Sequence, residues 1–189
     1  MGSSAKLQGV VMNWNEWFVY DETSPTCLRR KKVSHNDRKN KVGDAAGYIG
    51  GDGYYLVRVN GKKAVCHRIV WEMLNSPLDQ EQKVDHKDRN RLNNKISNLR
   101  LVTNSQNGAN SGKLAKASSK LKGVTFHKRV RRWSSRITVN YNQINLGYFD
   151  TEQEAAEMYD NAAIWYFGEF ANTNFGNERY KERCSGFFR

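Results

Sequence analysis

Tyr55, Val57 and Val59 alternate with other residues, Asn60-Gly61 follows, and Lys62-Lys63-Ala64-Val65 continues the run. Asn-Gly tolerates the positive φ of a type I′ turn, so this segment predicts a β-hairpin ending near Val65. The period then changes. Ile69, Val70, Met73 and Leu74 recur at helical spacing from His67 onward, and Asn75-Ser76-Pro77 stops that helix. Beyond it, Val84-Asp85-His86 and the run Ile96 to Val102 read as two short strands flanking a polar loop, Lys87 to Lys95. Thr103 is placed to cap a short helix carrying Asn104, Gln106 and Asn107.

The stretch NGANSGKLAKASS, around residues 108–119, is small and polar, the composition of a flexible linker, so a boundary is expected there. After it, Gly123 to Phe126, Trp133 to Val139 and Gln143 to Phe149 read as three strands, the last two joined through Asn140-Tyr141-Asn142. From Thr151 to Gly168, Ala155, Ala156, Tyr159, Ala162, Ala163 and Tyr166 recur at i, i+3 and i+4 spacing, which predicts a helix. Thr151 followed by Glu154 is a capping-box start. The strand region carries Lys122, Lys128, Arg129, Arg131, Arg132 and Arg136 and no acid before Asp150. The helix carries Glu152, Glu154, Glu157 and Asp160 and no Lys or Arg. A cationic sheet backed by a helix with an acidic outer face is polarised, and only its sheet side can approach phosphates without repulsion.

Charge widens that picture to the whole chain. In 189 residues, 31 Lys and Arg against 19 Asp and Glu leave a net charge of +12, which points to a polyanionic partner, nucleic acid before anionic membrane. The length fits two or three modest modules and excludes a large barrel enzyme. The longest apolar run, Ala162 to Phe167, is far below the roughly 18 residues of a membrane span. No signal-peptide core opens the chain, so a cytoplasmic protein is expected; Met1-Gly2-Ser3-Ser4 is left out of the fold argument as expression-derived. Cys27, Cys66 and Cys184 are odd in number and far apart, which supports neither a disulfide framework nor a cysteine zinc site. Basic clusters at Arg29 to Lys32 and around Arg38 to Lys41 fit a further DNA contact and a solvated surface equally well.

The candidate chemistry lies in the strand–loop–strand–helix segment. Phosphodiester hydrolysis needs a neutral imidazole to take a proton from water and oxygen ligands that hold a hard divalent cation against the phosphate. Asp85 and Asn107 could supply the oxygens and His86 the base, with Asn98 bracing the polar loop through its amide. The plain alternative makes Asp85-His86 a turn entry and Asn107-Gly108 a helix end; the four positions together outweigh it.

The segments HRIVWEML and VDHKDRNRLNNKISNLRLVTNSQN closely resemble the HNH nuclease motif of phage and intron-borne homing endonucleases. The resemblance implies His86 as general base, Asp85 and Asn107 as ligands of one divalent metal, and Asn98 as the loop-bracing Asn of the motif. Asn107 stands where the family name has His. A neutral amide oxygen favours Mg²⁺, with Mn²⁺ as substitute, over zinc. Asn104, one turn earlier, is the alternative ligand, and His67 is taken as structural.

The third stretch, KGVTFHKRVRRWSSRITVNYNQINLGYFDTEQEAAEMYDNAAIWYFGEFANTNF, resembles the Apetala/ethylene-response-factor DNA-binding domain of plant regulators, which also accompanies HNH nucleases in phage enzymes. That likeness implies a sheet lying in the major groove. Lys122, Thr125, Arg136, Thr138, Gln143 and Asn145 then occupy contact positions, with His127 and Arg129 beside an insertion, and Arg89 and Arg91 of the polar loop are further DNA-contact candidates. Gln and Asn in place of Arg imply a preference shifted from guanine toward adenine. Trp133 and Leu146 are expected to pack.

The expected chain is therefore an α+β protein. A β-hairpin region (11–65) leads into an HNH ββα-metal nuclease core (66–110). A linker (111–119), a three-stranded antiparallel sheet packed on one helix (120–175) and a basic tail (176–189) follow. The expected function is a homing-type DNA endonuclease acting on double-stranded DNA as a monomer or weak dimer, nicking one strand per monomer, with no membrane or small-molecule cofactor. The alternatives are a non-cutting DNA-binding regulator on a nuclease-like scaffold, and a restriction or repair nuclease of the same chemistry.

Overall fold

The computed structural model describes residues 12–35, 37–78, 82–111 and 119–180. Most of the 111–119 linker, the 181–189 part of the tail, Cys184 and the Met1 to Ser4 start lie outside them. By its contacts the chain divides into two compact units, Met1–Gln80 with Asn90–Arg100, and Glu81–Arg89 with Leu101–Arg189. The division runs through segment 66–110.

In the first unit, β1 (Phe18–Tyr20) pairs antiparallel with β2 (Leu28–Arg30), Val19 opposite Arg29. Phe18 and Leu28 are almost wholly buried. A second sheet joins β3 (Tyr48–Ile49), β4 (Tyr55–Val59) and β5 (Lys62–Val65) in that order. Val57 faces Ala64 across the expected hairpin, and the turn residues Asn60 and Gly61 have φ of 49° and 78°, as a type I′ turn requires. The expected helix follows as α1 (Cys66–Leu74), starting one residue before His67 and ending where Asn75 donates its N–H to the Trp71 carbonyl. It buries Cys66, His67, Ile69 and Val70; the His67 ring lies 5.3 Å from that of Tyr54. Cys27 and Cys66 are buried thiols, and burial pushes Cys66 up to about 12, so it stays protonated.

The basic cluster at Arg29 to Lys32 is partly engaged inside this unit. Arg29 pairs with Asp21, the Lys31 ammonium donates to the Asn15 carbonyl, and Lys32 lies over the Trp17 ring at 5.0 Å.

Next in the chain are β6 (Lys83–His86) and β7 (Leu99–Val102), the latter preceded by a single 3-10 turn, Ile96–Asn98. The second strand is thus shorter than the Ile96 to Val102 run suggests, and Asn98 sits in the turn rather than on a strand. Leu99 and Val102 are the buried positions of β7.

The second unit holds α2 (Asn104–Asn110), whose capping box is complete: Thr103 Oγ1 accepts from Gln106 N–H while Gln106 Oε1 accepts from Thr103 N–H. The sheet of β8 (Val124–His127), β9 (Arg132–Val139) and β10 (Asn142–Phe149) is antiparallel with β9 central, as the three-strand reading expects. Behind it lies α3 (Glu152–Phe167), opened by the Thr151–Glu154 capping box. Ile137 packs with Tyr159, Ala163, Ile164 and Phe167, and Val124 packs with Ala155 and Ala156; Trp133 and Leu146 flank these clusters as packing residues. Gly123, with φ +76°, lies so close to the Tyr159 ring that any Cβ would collide with it.

The acidic face of α3 needs one correction. Asp160 is fully buried, and its carboxylate accepts from the Asn174 and Phe175 backbone N–H groups, the Asn174 side chain and the Tyr180 hydroxyl. Charge alone could not separate this buried turn-binding carboxylate from the exposed Glu154. Tyr166, placed on the apolar stripe by spacing, is 45% exposed instead.

Candidate active site and nucleic-acid interface

His86 ends β6 and is buried, with 4% of its surface exposed; Asp85 beside it is half-buried. The Arg89 N–H donates to the His86 carbonyl at 3.0 Å, and Arg89 adopts φ 63°, so the chain turns sharply after the Asp-His pair. Asn107 lies half-buried on α2, which continues through it to Asn110 and Ser111, where the Ser111 N–H closes on the Asn107 carbonyl. Asn107-Gly108 is therefore helix interior, not a helix end.

What ties this helix to the Asp-His pair is Asn110, one turn beyond Asn107. Its buried amide donates to Asp85 Oδ2 at 2.7 Å and to the His86 carbonyl at 3.1 Å. Sequence reasoning passed over Asn110. Its only signal there is an Asn three positions after Asn107, a spacing that keeps both on neighbouring helix faces.

Asn98 belongs to the first unit, and its amide donates to the Asn93 carbonyl at 2.8 Å. This bond ties the end of the polar loop to the turn that follows it. Asn94, buried in the same loop, donates to the Thr26 carbonyl at 3.3 Å. Asn104 opens α2 and is exposed.

Among the described residues no three His, Cys, Asp or Glu side chains cluster as a metal site. The donor types here are a carboxylate and amides. Such hard oxygen donors suit a cation that retains several waters, which Mg²⁺ does.

The sheet sorts the remaining candidates by register. Thr125 stands opposite Ser134, itself opposite Tyr148; Arg136 faces Asn145; Thr138 faces Gln143. Thr125, Arg136, Thr138, Gln143 and Asn145 therefore share the face turned away from α3, and all but the half-buried Arg136 are exposed. Asn145 also accepts the Gly147 N–H at the bulge in β10, so part of its amide is engaged in the fold. The His127 ring packs edge-on to Tyr148 at 5.4 Å, while Arg129 is exposed at the hairpin tip and Arg132 pairs with Asp150 at 3.0 Å.

Three basic candidates are held by the protein itself. The Lys122 ammonium donates to the Ala109 and Ser111 carbonyls, and burial lowers it to about 8. The Arg89 guanidinium donates to Asn172 Oδ1 at 2.6 Å. In the first unit Arg91 stacks over the Tyr54 ring at 4.9 Å and donates to the Asp52 carbonyl.

Residues 64–109 match the HNH endonuclease family. The chain is 35% identical over 130 residues to an uncharacterized HNH endonuclease of Acanthamoeba polyphaga mimivirus, covering 67% of this chain and 65% of that protein, just under two thirds. It is 32% identical over 93 residues to Protein 3.8 of Escherichia phage T7, covering 49% of this chain and 77% of that protein. A 65-residue stretch, 34% of this chain, is 45% identical to APETALA2-like protein 2 of Oryza sativa, of which it spans 15%. The family match and these relatives agree: the chain belongs to the HNH endonuclease family and carries an APETALA2-like region toward its C-terminus.

Proposed function

We infer that the chain is a sequence-recognising DNA endonuclease of homing type with a ββα-metal core, and that His86, Asp85 and Asn107 form its hydrolytic centre. The observation that carries this reading is the Asn110 amide. From the helix that bears Asn107, it fixes both the Asp85 carboxylate and the His86 backbone. In this reading His86 is the general base, taking a proton from a water aligned with the phosphorus. As that water attacks, the bond from phosphorus to the 3′ oxygen breaks, leaving a 5′-phosphate and, after proton uptake from solvent, a 3′-hydroxyl.

Asp85 and Asn107 would hold one divalent cation, Mg²⁺ or in its place Mn²⁺, through a carboxylate and an amide oxygen. When bound, that cation supplies positive charge to the phosphate and the departing oxygen. Asn98 keeps the loop between the strands in shape. Thr125, Arg136, Thr138, Gln143 and Asn145 read the duplex from the sheet face, with His127 and Arg129 at its rim. One hydrolytic centre per chain makes a nick the product of a monomer.

One observation favours a second reading, a regulator that binds DNA without cutting: Asp85 is the only anionic member of the ligand set, so the cation would be held weakly. Supercoiled plasmid incubated with the full chain in Mg²⁺ or in EDTA separates the two. Metal-dependent appearance of open-circular DNA with 5′-phosphate ends supports the nuclease; retarded but intact plasmid in both Mg²⁺ and Mn²⁺ supports the regulator.

A further inference from the structure

The helix that carries Asn107 is built into the DNA-reading module. Ala109 of α2 lies in the same buried cluster as Ile137 of β9 and Tyr159 and Phe167 of α3. The N-terminal half of α2 is held at the β9–β10 turn, where the Asn140 N–H donates to Ser105 Oγ at 3.0 Å. Its C-terminal carbonyls, which a helix leaves without intrahelical partners, are taken by two residues further along the second unit. Lys122 donates to the carbonyls of Ala109 and Ser111, the Asn172 backbone N–H donates to Ala109 at 3.3 Å, and the Asn172 side-chain amide donates to Ser111 at 3.2 Å. Asn172 also accepts from Arg89, three residues beyond His86. Ser105 and Gly108 of α2 line one groove with Thr125, Arg136, Thr138 and Gln143 of the reading face.

From this we propose that Lys122 and Asn172 are positioning residues that lock the cation-binding helix to the reading sheet, so that the phosphate cut lies at a fixed offset from the bases read. The inference rests on the assignment of Asn107 as a cation ligand. Packed elements lie about 10 Å apart, and a duplex rises about 3.4 Å per base pair. The cut therefore falls within one helical turn, about 10 base pairs, of the recognised sequence. The side-chain and core contacts set this distance.

The test uses the full chain and a duplex recovered by selection for binding to it. Ten Gly/Ser residues inserted between Gly112 and Ser118 are expected to leave the mapped cut unchanged to within one nucleotide. The same insertion combined with Lys122→Met and Asn172→Ala is expected to spread the cuts over several positions. Hydrogen exchange without DNA gives a readout independent of cleavage. In Lys122→Met/Asn172→Ala, the α2 amides from Asn107 to Ser111 should exchange at least 10-fold faster, while those of β9, the folding control, do not change.

A cut that moves or spreads with the insertion alone overturns the proposal, as does unchanged exchange in α2. If the unaltered chain binds but does not cut, the nuclease reading fails by itself, and exchange in α2 still decides whether the two residues hold the helix.

Discussion

Asn110 and Asp85 are joined by a 2.7 Å hydrogen bond from amide to carboxylate, and the same amide reaches the His86 carbonyl at 3.1 Å. A side chain that orients a cation ligand without contacting the cation contributes typically 10- to 100-fold to metal affinity or activity. Asn110→Ala is therefore expected to raise the Mg²⁺ concentration for half-maximal cleavage by about 10- to 100-fold. Far-UV circular dichroism should stay unchanged. A metal titration of the cleavage rate checks it, and an unchanged half-point would remove Asn110 from the site.

Asp160 gathers four donors inside the second unit, and its burial pushes the carboxyl above the ordinary carboxylate range, against the pull of those donors. Asp160→Ala leaves all four without their acceptor. Loss of about 3 kcal/mol or more is expected, because buried hydrogen bonds to a charged group are each worth roughly 1.5–3 kcal/mol. Urea denaturation followed by near-UV circular dichroism measures this directly.

Lys122 sets a pH dependence of stability. Burial lowers its ammonium to about 8 in the folded chain, whereas an unfolded lysine titrates near about 10.4. Between those values the unfolded chain binds more protons, so this group's contribution rises with pH across that window and is lost as pH falls through 8. The neutral amine keeps two N–H groups for its two carbonyl acceptors. The difference in urea midpoint between pH 7.5 and 9.5 should accordingly shrink in Lys122→Met. An identical difference in both proteins would show that the ammonium is solvated.

Arg136 faces Asn145 across the sheet, on the face turned away from α3 that is proposed to read the duplex. Arg136→Ala is expected to cost about 1–3 kcal/mol of binding and to relax the preference at one base position. Arg129→Ala, at the exposed hairpin tip, should weaken all duplexes alike and reduce the salt slope by about one. Fluorescence anisotropy across a salt series distinguishes the two, and a base-selective effect of Arg129→Ala would reverse the assignment.

Legibility in the sequence followed the range of the interactions involved. The hairpin at Asn60-Gly61, the Thr103 cap, the Thr151–Glu154 capping box and the three strands rest on local signals, turn φ, i to i+3 caps and alternation, and they stand where the sequence puts them. The pairing of β1 with β2 was not visible, because Phe18 to Tyr20 and Leu28 to Arg30 are too short to show a period. At the candidate site, Asp85, His86 and Asn107 come from a fixed motif spacing. Asn110, Lys122 and Asn172 do not, since they act through partners 11 to 83 positions away. Lys122 illustrates the limit: a lysine beside a basic sheet reads as a phosphate contact until its ammonium is seen capping a helix.

The most direct test of the catalytic account is the single-turnover rate of cleavage of one bound duplex in Mg²⁺ by the unaltered chain and by His86→Ala. General-base catalysis contributes about 10²- to 10⁴-fold, so His86→Ala should cut slower by that factor while retaining its affinity for the duplex. Equal rates would contradict the account and return His86 to the role of a buried structural histidine.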